Sequence, residues 1–317
     1  MATLTLLDVA KLNGNDNVVG LIEENLTYVP ELQYFPVRQI SGTSYKTITR
    51  TGFPSVAFRS ANEGVTPTKS TFAQKLVECF ILSARVEVDK AVLQAQESDA
   101  ASLEMLEADG VMKQAMIEIA SQIWYGTSTD SKGFPGIKAA CPTTAATVVN
   151  ALGSNAAVQS NLYAIKFGTK DVTMITGNGT TFSLGEFRDE TIEDSAGAKL
   201  PGRVADLCGW IGLQVGNVNC VGRIYNIGDD GETGDTLTDA KIATLLQKFP
   251  VGYTPSMFFT NRRSLAQLQT SRTVTINTGP SVKAGGNIEI MAPLPTSAFG
   301  IPIAVSDAIL ATDVVGT

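Results

Sequence analysis

Apolar and polar residues alternate between residues 31 and 75, and Gly42 and residues 52–54 (GFP) interrupt the alternation. A period of two broken by glycine and proline predicts a long β-hairpin. An isolated hairpin is marginally stable in water, so we expect this predicted hairpin to need a partner surface. Residues 1–30 have only a scattered apolar pattern, which indicates an N-terminal arm with little core of its own.

The next apolar pattern changes its period. Residues 76–90 are predicted to form a strand, and residues 98–124 a single helix, because apolar side chains recur there at spacings of three and four. At 1.5 Å per residue this helix would be about 40 Å long.

The remainder of the chain is predicted to be mostly β-structure with two short helices. Strands are expected at 161–167, 172–176, 188–192, 210–227, Met257–Thr260 and Ile301–Val305. Thr236 and Asp239 have capping-box spacing before a helix at 237–249, and Asn261 should cap a helix that ends near residue 269. Residues 177–180 (GNGT) lack the pattern of a phosphate-binding loop and indicate a turn.

Charge separates the predicted hairpin from the predicted helix. Residues 31–70 contain five basic and two acidic residues, a net charge of +3, whereas residues 87–118 contain two basic and eight acidic residues, a net charge of −6. The hairpin of one copy could therefore lie on the helix of another; the alternative is that both are simply solvated faces. The hairpin would need further apolar contacts for affinity.

Composition excludes several classes of function. The chain has 317 residues, 44% of them hydrophobic, which suggests about two domains. A net charge of −7 argues against tight binding of nucleic acid, although a protein that only encloses DNA remains possible. No histidine is present, which excludes Ser-His-Asp and Cys-His catalysis and histidine metalloprotease sites. The sequence has no apolar run of about 18 residues and no signal peptide, so we expect no membrane association.

Three weaker signals for chemistry have simpler explanations. Cys79, Cys141, Cys208 and Cys220 form no CxxC pair and are expected to be free thiols. The acidic loop 228–235 contains the oxygen ligands that Ca²⁺ prefers, but it lacks EF-hand spacing and is expected to be an exposed, mobile loop. Glu104 and Glu107 could form a catalytic carboxylate pair, yet exposed helices commonly carry such residues. We therefore expect no catalytic residue, cofactor or metal.

Several stretches together resemble the major capsid proteins of tailed bacteriophages, in particular a group from short-tailed and some long-tailed phages. Their order spans about residues 40–265. They are residues 50–54 (RTGFP), 56–59 (VAFR), 62–65 (NEGV), 67–71 (PTKST), 86–90 (VEVDK), 124–126 (WYG), 134–137 (FPGI), 161–168 (NLYAIKFG), 221–227 (VGRIYNI) and 258–265 (FFTNRRSL).

The resemblance implies the α+β fold of tailed-phage and herpesvirus capsids. Residues 1–30 would form the N-terminal arm and 31–75 the extended loop. Residues 76–137 would form the peripheral domain with its spine helix at 98–124, residues 138–255 the axial domain, and residues 256–317 the rest of the peripheral domain. The loop 228–235 would lie near the centre of a hexamer or pentamer.

The resemblance also implies partners. The chain would assemble as hexamers and pentamers in the icosahedral shell of a virion, formed in the bacterial cytoplasm, around double-stranded DNA that it does not bind specifically. Only about 30 residues precede the predicted hairpin, so scaffolding is expected to be a separate protein, with portal and decoration proteins as further partners. The alternatives are an encapsulin-like compartment with protein cargo and a soluble enzyme.

The candidate interface residues follow from these expectations. The extended loop would contribute Phe35, Arg38, Lys46, Arg50, Phe53, Phe58, Arg59 and Lys69. The acidic spine segment would contribute Glu97, Asp99, Glu104, Glu107 and Asp109, and the axial loop Asp229, Asp230, Glu232 and Asp235.

Overall fold

The computed structural model describes residues 27–95, 100–155, 158–179, 182–194, 196–229, 235–277, 287–290 and 292–316. The helices are α1 (Glu31–Tyr34), α2 (Lys90–Gln94), α3 (Ala100–Tyr125), α4 (Ile137–Ala140), α5 (Asp239–Gln247) and α6 (Arg262–Arg272). The strands are β1 (Val37–Gln39), β2 (Ser44–Gly52), β3 (Thr71–Glu78), β4 (Phe80–Asp89), β5 (Val148–Asn150), β6 (Ser160–Ile165), β7 (Val172–Thr176), β8 (Ser183–Leu184), β9 (Arg188–Glu193), β10 (Lys199–Val215), β11 (Val221–Ile227), β12 (Met257–Thr260), β13 (Val274–Asn277), β14 (Asn287–Ile290), β15 (Ser297–Ala298) and β16 (Ile301–Val305).

β10 organises the first sheet. Along one edge it pairs antiparallel with β4, from Gly202 opposite Asp89 to Ile211 opposite Phe80. Along its other edge it pairs in turn with β9, β8 and β7, and β1 adds to β7 in parallel. β4 is therefore an edge strand of this sheet among the described residues.

The second sheet has the order β15-β16-β12-β6-β11-β5. β6 is buried along its whole length, as expected for a strand covered on both faces. One cluster of buried side chains joins this sheet to α5 and α6, through residues such as Ile242, Leu245 and Leu268. Its strands come from residues 148–305, so this sheet brings together segments that are far apart in the sequence.

The C-terminal half of α3 joins the two sheets. Ile119, Ile123 and Trp124 are buried in a hydrophobic core that contains residues of both sheets. The Trp124 ring stacks on Tyr163 of β6, with the ring centroids 4.9 Å apart, and meets Phe259 of β12 at 5.2 Å. These contacts hold the helix end, and with it the first sheet, against the second sheet.

β2 and β3 form a two-stranded sheet of their own, which with the connecting residues 53–70 makes up the ribbon (residues 44–78). The predicted hairpin therefore forms, but it begins at residue 44 and not at residue 31. Residues 31–34 are helix α1, and Phe35 is buried in the core at 3% exposure, in contact with Trp124 and Phe259. Alternation alone could not distinguish this short core segment from the ribbon.

The strand and helix predictions elsewhere agree with the structure in most places. α3 lies within two residues of the predicted helix, and the strands at 172–176, 257–260 and 301–305 match. The Asn261 side chain accepts a hydrogen bond from the backbone N–H of Ser264, as expected of an N-cap. The predicted capping box is wrong: α5 is preceded by Thr238 without a side-chain cap, and Asp239 instead binds Arg272 at 2.6 Å.

The two sheets do not follow the domain boundaries expected at residues 138 and 255. β10, from the expected axial segment, pairs with β4 of the expected peripheral segment. β12 and β16, from the expected C-terminal part of the peripheral domain, instead belong to the sheet of β6 and β11. Periodicity identifies a strand but not its partner, so a division into contiguous segments could not anticipate this pairing. The expected arm lies outside the described residues except for 27–30.

A buried carboxylate, Glu31, connects three distant parts of the chain. Trp124 Nε1 donates to Glu31 Oε1 at 2.6 Å, and the Ser306 hydroxyl donates to the same oxygen. Burial raises the pKa of Glu31 above its ordinary value, against the lowering effect of these two hydrogen bonds. Folding therefore shifts the equilibrium of Glu31 toward its neutral form, relative to the unfolded chain.

Glu31→Gln should remove this ionisation while retaining both hydrogen bonds, because the amide oxygen accepts as the carboxylate does. The folded-state pKa of Glu31 is above the unfolded value, so the stability contributed by the protonated form is lost as pH rises through the folded pKa. Measured by chemical denaturation, the stability of the variant relative to the natural protein should increase as pH rises from the ordinary pKa of a glutamate through the raised folded-state pKa of Glu31. A difference in unfolding free energy that is independent of pH would contradict this.

Candidate assembly surfaces

The register of β2 and β3 divides the ribbon into two faces. Tyr45 lies opposite Val77, and with Lys75 these residues define the inner face, which lies against the body of the subunit. The side chains on the other face, which we call the outer face, are exposed. They are Lys46, Ile48 and Arg50 of β2 and Phe72, Gln74 and Leu76 of β3.

The outer face and the connecting residues 53–70 hold a concentration of exposed apolar side chains. Phe53 is 80% exposed and Phe58 is fully exposed. Val56, Val65, Ile48, Phe72 and Leu76 are also exposed. Scattered apolar surface residues are ordinary, but a run of this kind on one projecting element marks an interaction surface.

Basic side chains lie among these apolar residues. The Arg50 guanidinium lies 5.5 Å from the Phe53 ring centroid and 5.4 Å from that of Phe72. Arg59 donates to the backbone oxygen of Glu63 at 2.9 Å. Lys46 and Lys69 are exposed. The ribbon thus presents apolar surface together with positive charge.

Two residues predicted for this surface belong to the subunit's own interior contacts. Phe35 is part of the core, so it is not available to a neighbour as expected. Arg38 lies on β1, half-buried, where it donates to Gln214 at 3.3 Å and lies over the Tyr45 ring. Both residues precede the ribbon, and their placement corrects the expected set.

The acidic segment of the spine helix is less available than its sequence suggests. The Glu104 carboxylate lies 3.0 Å from Arg203, and Asp109 lies 2.6 Å from Lys113 on the same helix. Glu107 is half-buried, and Glu97 and Asp99 lie outside the described residues. The subunit itself therefore neutralises part of the charge that was expected to attract a neighbouring hairpin.

The expected exposed loop at 228–235 is described only at its two ends. Asp229 accepts a hydrogen bond from Asn155 at 3.1 Å. Asp235 is buried at 2% exposure, so the expectation of exposure is wrong at this end of the loop. Asp230 and Glu232 lie outside the described residues.

No cluster of three or more potential metal ligands occurs among the residues described, and no helix among them is long and apolar enough to cross a membrane.

A cleft of about 240 Å³ lies between α3, the edge strand β4 and the loop 130–134. Its apolar lining includes Phe80, Leu82, Ile119, Phe134 and Ile211, and the half-exposed side chain of Ile81. Its polar lining includes Glu118, Asp130 and Lys132. Sequence reasoning missed this site, because its walls come from separate segments and no local pattern unites them.

The outer-face residues Ile48, Phe72 and Leu76 were also missing from the predicted surface. A signal for them existed, since cross-strand neighbours share a face once the register is known. The register itself depended on knowing that the hairpin begins at residue 44.

Comparisons with known proteins agree with the fold. The model of the family described as major capsid protein GP7 matches residues 21–315. A structure of bacteriophage Epsilon15 is 20% identical, covers 99% of this chain and 97% of its own, and has a TM-score of 0.75. Two other structures are more distant. A structure of Mycobacterium phage Bobi is 15% identical, covers 73% of this chain and 100% of its own, and has a TM-score of 0.48. The capsid of Myoviridae phage XM1 is 9% identical, covers 65% of this chain and 94% of its own, and has a TM-score of 0.47. No curated protein matched.

Two phenylalanines that the sequence treats alike should differ in their effect on stability. Phe35→Ala should lower the unfolding free energy by about 3–5 kcal/mol, because it leaves a cavity in the core. Phe58→Ala should change it by less than about 0.5 kcal/mol, since the ring is exposed. Urea denaturation of unassembled subunits measures both. Comparable decreases would contradict the placement of the two side chains.

Proposed function

The chain belongs to the family of major capsid proteins described as GP7, and from this membership we propose that it assembles as hexamers and pentamers into an icosahedral shell around double-stranded DNA. Its role as a capsid component implies a place in the virion. We further propose that it is structural and not catalytic, and that the shell is assembled in the host cytoplasm. The encapsulin-like alternative is not favoured, because the matching family is one of major capsid proteins.

The observation that carries this proposal is the exposed outer face of the ribbon. Complete burial of one phenylalanine contributes about 1.5–3 kcal/mol before association costs are subtracted. Phe53, Val56 and Phe58 lie in the exposed connecting residues of the ribbon, whose inner face packs on its own body only at its base, through Tyr45 and Val77. A second copy of the chain supplies the surface that would cover them.

We propose that the ribbon is seated in the cleft between α3 and β4 of a neighbouring copy. The cleft offers an apolar floor to the ribbon's apolar side chains. Glu118 and Asp130 on its walls complement Arg50 and Arg59, although Lys132 opposes them. The proposed seat is thus the C-terminal half of the spine helix. It replaces the acidic first half favoured by sequence, because Glu104 and Asp109 are paired within the subunit.

The expected relation to DNA follows from charge. The net charge of −7 gives the shell no general attraction for phosphates. DNA would be enclosed without specific contacts to its bases. Scaffolding, portal and decoration proteins remain predicted partners.

Electron microscopy of the purified protein tests assembly, and the nucleic acid content of the particles tests the cargo. We expect closed shells with five-fold and six-fold clusters, and double-stranded DNA in particles from infected cells. A species of about 33 kDa over a wide concentration range would contradict the assembly proposal, and particles filled with protein would contradict the proposed cargo.

Charge reversal of the ribbon should impair assembly in a salt-dependent way. Exposed ion pairs contribute less than about 1 kcal/mol each, so Arg59→Ala should have only a mild effect. Arg50→Glu with Arg59→Glu should slow or misdirect assembly, most strongly at low salt, where charges are poorly screened. Light scattering at two ionic strengths measures the rate.

The matched control carries the same change in net charge on exposed residues away from the ribbon, Lys199→Glu with Arg262→Glu. It should assemble nearly as the natural protein does. Normal low-salt assembly of the ribbon variant, or equal slowing of both variants, would refute a specific role for Arg50 and Arg59.

A further inference from the structure

We infer that the direction of the ribbon is fixed before any neighbour is met, by a polar latch at its base formed by Arg38, Tyr45, Lys75 and Gln214. These are positioning residues, which act through the ribbon they hold. The inferred effect of the latch on assembly rests on the proposed function, whereas the latch itself rests only on interactions within one subunit.

The ribbon has few other directional connections to the body. Among the described residues its strands pair only with each other, and the hydrogen bond from Cys79 N to Thr43 O continues this pairing at the junction with the body. The inner face packs through Val77 and Tyr45 onto a small cluster with Ile175. Apolar packing is not directional, so this cluster holds the base of the ribbon without fixing its angle.

Gln214 of β10 is the fixed part of the latch. It is 2% exposed, and its Nε2 donates to the backbone oxygens of Thr169 at 2.9 Å and Asp171 at 3.3 Å. These two bonds set the orientation of the amide and turn Oε1 toward the ribbon. Oε1 then accepts hydrogen bonds from the Tyr45 hydroxyl and from Arg38 Nη2, the latter at 3.3 Å.

Two further interactions complete the latch. The Arg38 guanidinium lies over the Tyr45 ring, 4.7 Å from its centroid, and this cation–π contact further restrains the ring. Lys75 Nζ, from the other strand of the ribbon, donates to the backbone oxygen of Val215 at 3.1 Å. Burial lowers the pKa of Lys75, which remains partly exposed to solvent.

The arrangement of these hydrogen bonds carries the inference. Each strand of the ribbon makes one of them, and the two reach consecutive residues of β10, Gln214 and Val215. Two attachment points, one on each strand, restrict the orientation of the ribbon more than a single hydrogen bond would. Because Tyr45 and Lys75 share the inner face, the latch holds the outer face away from the body of the subunit. A preorganised ribbon sacrifices less conformational freedom on docking.

The test removes both hydrogen bonds with small changes of shape, Tyr45→Phe with Lys75→Met. A spin label at Ser60→Cys, near the end of the ribbon, is paired with one on native Cys208, which is exposed while the other three cysteines are buried. Labelled subunits are diluted into unlabelled protein, and electron–electron resonance gives the distribution of distances within one subunit. Lys248→Met is the control, because Lys248 makes a similar bond to the Val148 backbone oxygen far from the ribbon.

The natural protein and the control should show one narrow distribution. The double variant should show a broad distribution. Each hydrogen bond removed should raise the population of other orientations, relative to the natural one, by about fivefold. A narrow distribution in the double variant would overturn the latch. A broad distribution with slower assembly supports both the latch and the docking of the ribbon, whereas a broad distribution with unchanged assembly supports the latch and counts against the docking.

Discussion

A two-stranded ribbon can cover only one of its faces with the subunit that carries it, and this constraint organises the molecule. The inner face is bound at its base to β10 through Tyr45 and Lys75, while the outer face leaves Ile48, Phe72 and Leu76 in solvent. The exposed Phe53 and Phe58 continue this surface. A chain that retains so much apolar surface on a projecting element gains stability from it only by association.

The remainder of the fold supplies a rigid support for that element. The Trp124 cluster joins the spine helix to both sheets, and Glu31 adds hydrogen bonds from Trp124 and Ser306. The same helix end forms one wall of the cleft proposed to receive a ribbon. The packing that stabilises one subunit thus also shapes the surface that its neighbour would use.

Sequence patterns identified most elements because they depend on local periodicity. The spine helix, the strand at 257–260 and the Asn261 cap were predictable from neighbouring residues alone. Other features depended on long-range partners and were not predictable. Phe35 lies in an alternating segment yet contacts Trp124, and Glu104 lies in an acidic run yet binds Arg203. The start of β10 was missed because Pro201 and Gly202 interrupt its pattern.

If the ribbon of one subunit occupies the cleft of another, an intersubunit disulfide should form between cysteines placed in these two sites. In a Cys208→Ser background, subunits with Phe58→Cys are co-assembled with subunits with Ile81→Cys and oxidised. We expect crosslinked dimers, and none when Val251→Cys, an exposed site elsewhere, replaces Ile81→Cys. Assembled particles without the Phe58–Ile81 crosslink, or crosslinking equally strong at residue 251, would contradict it.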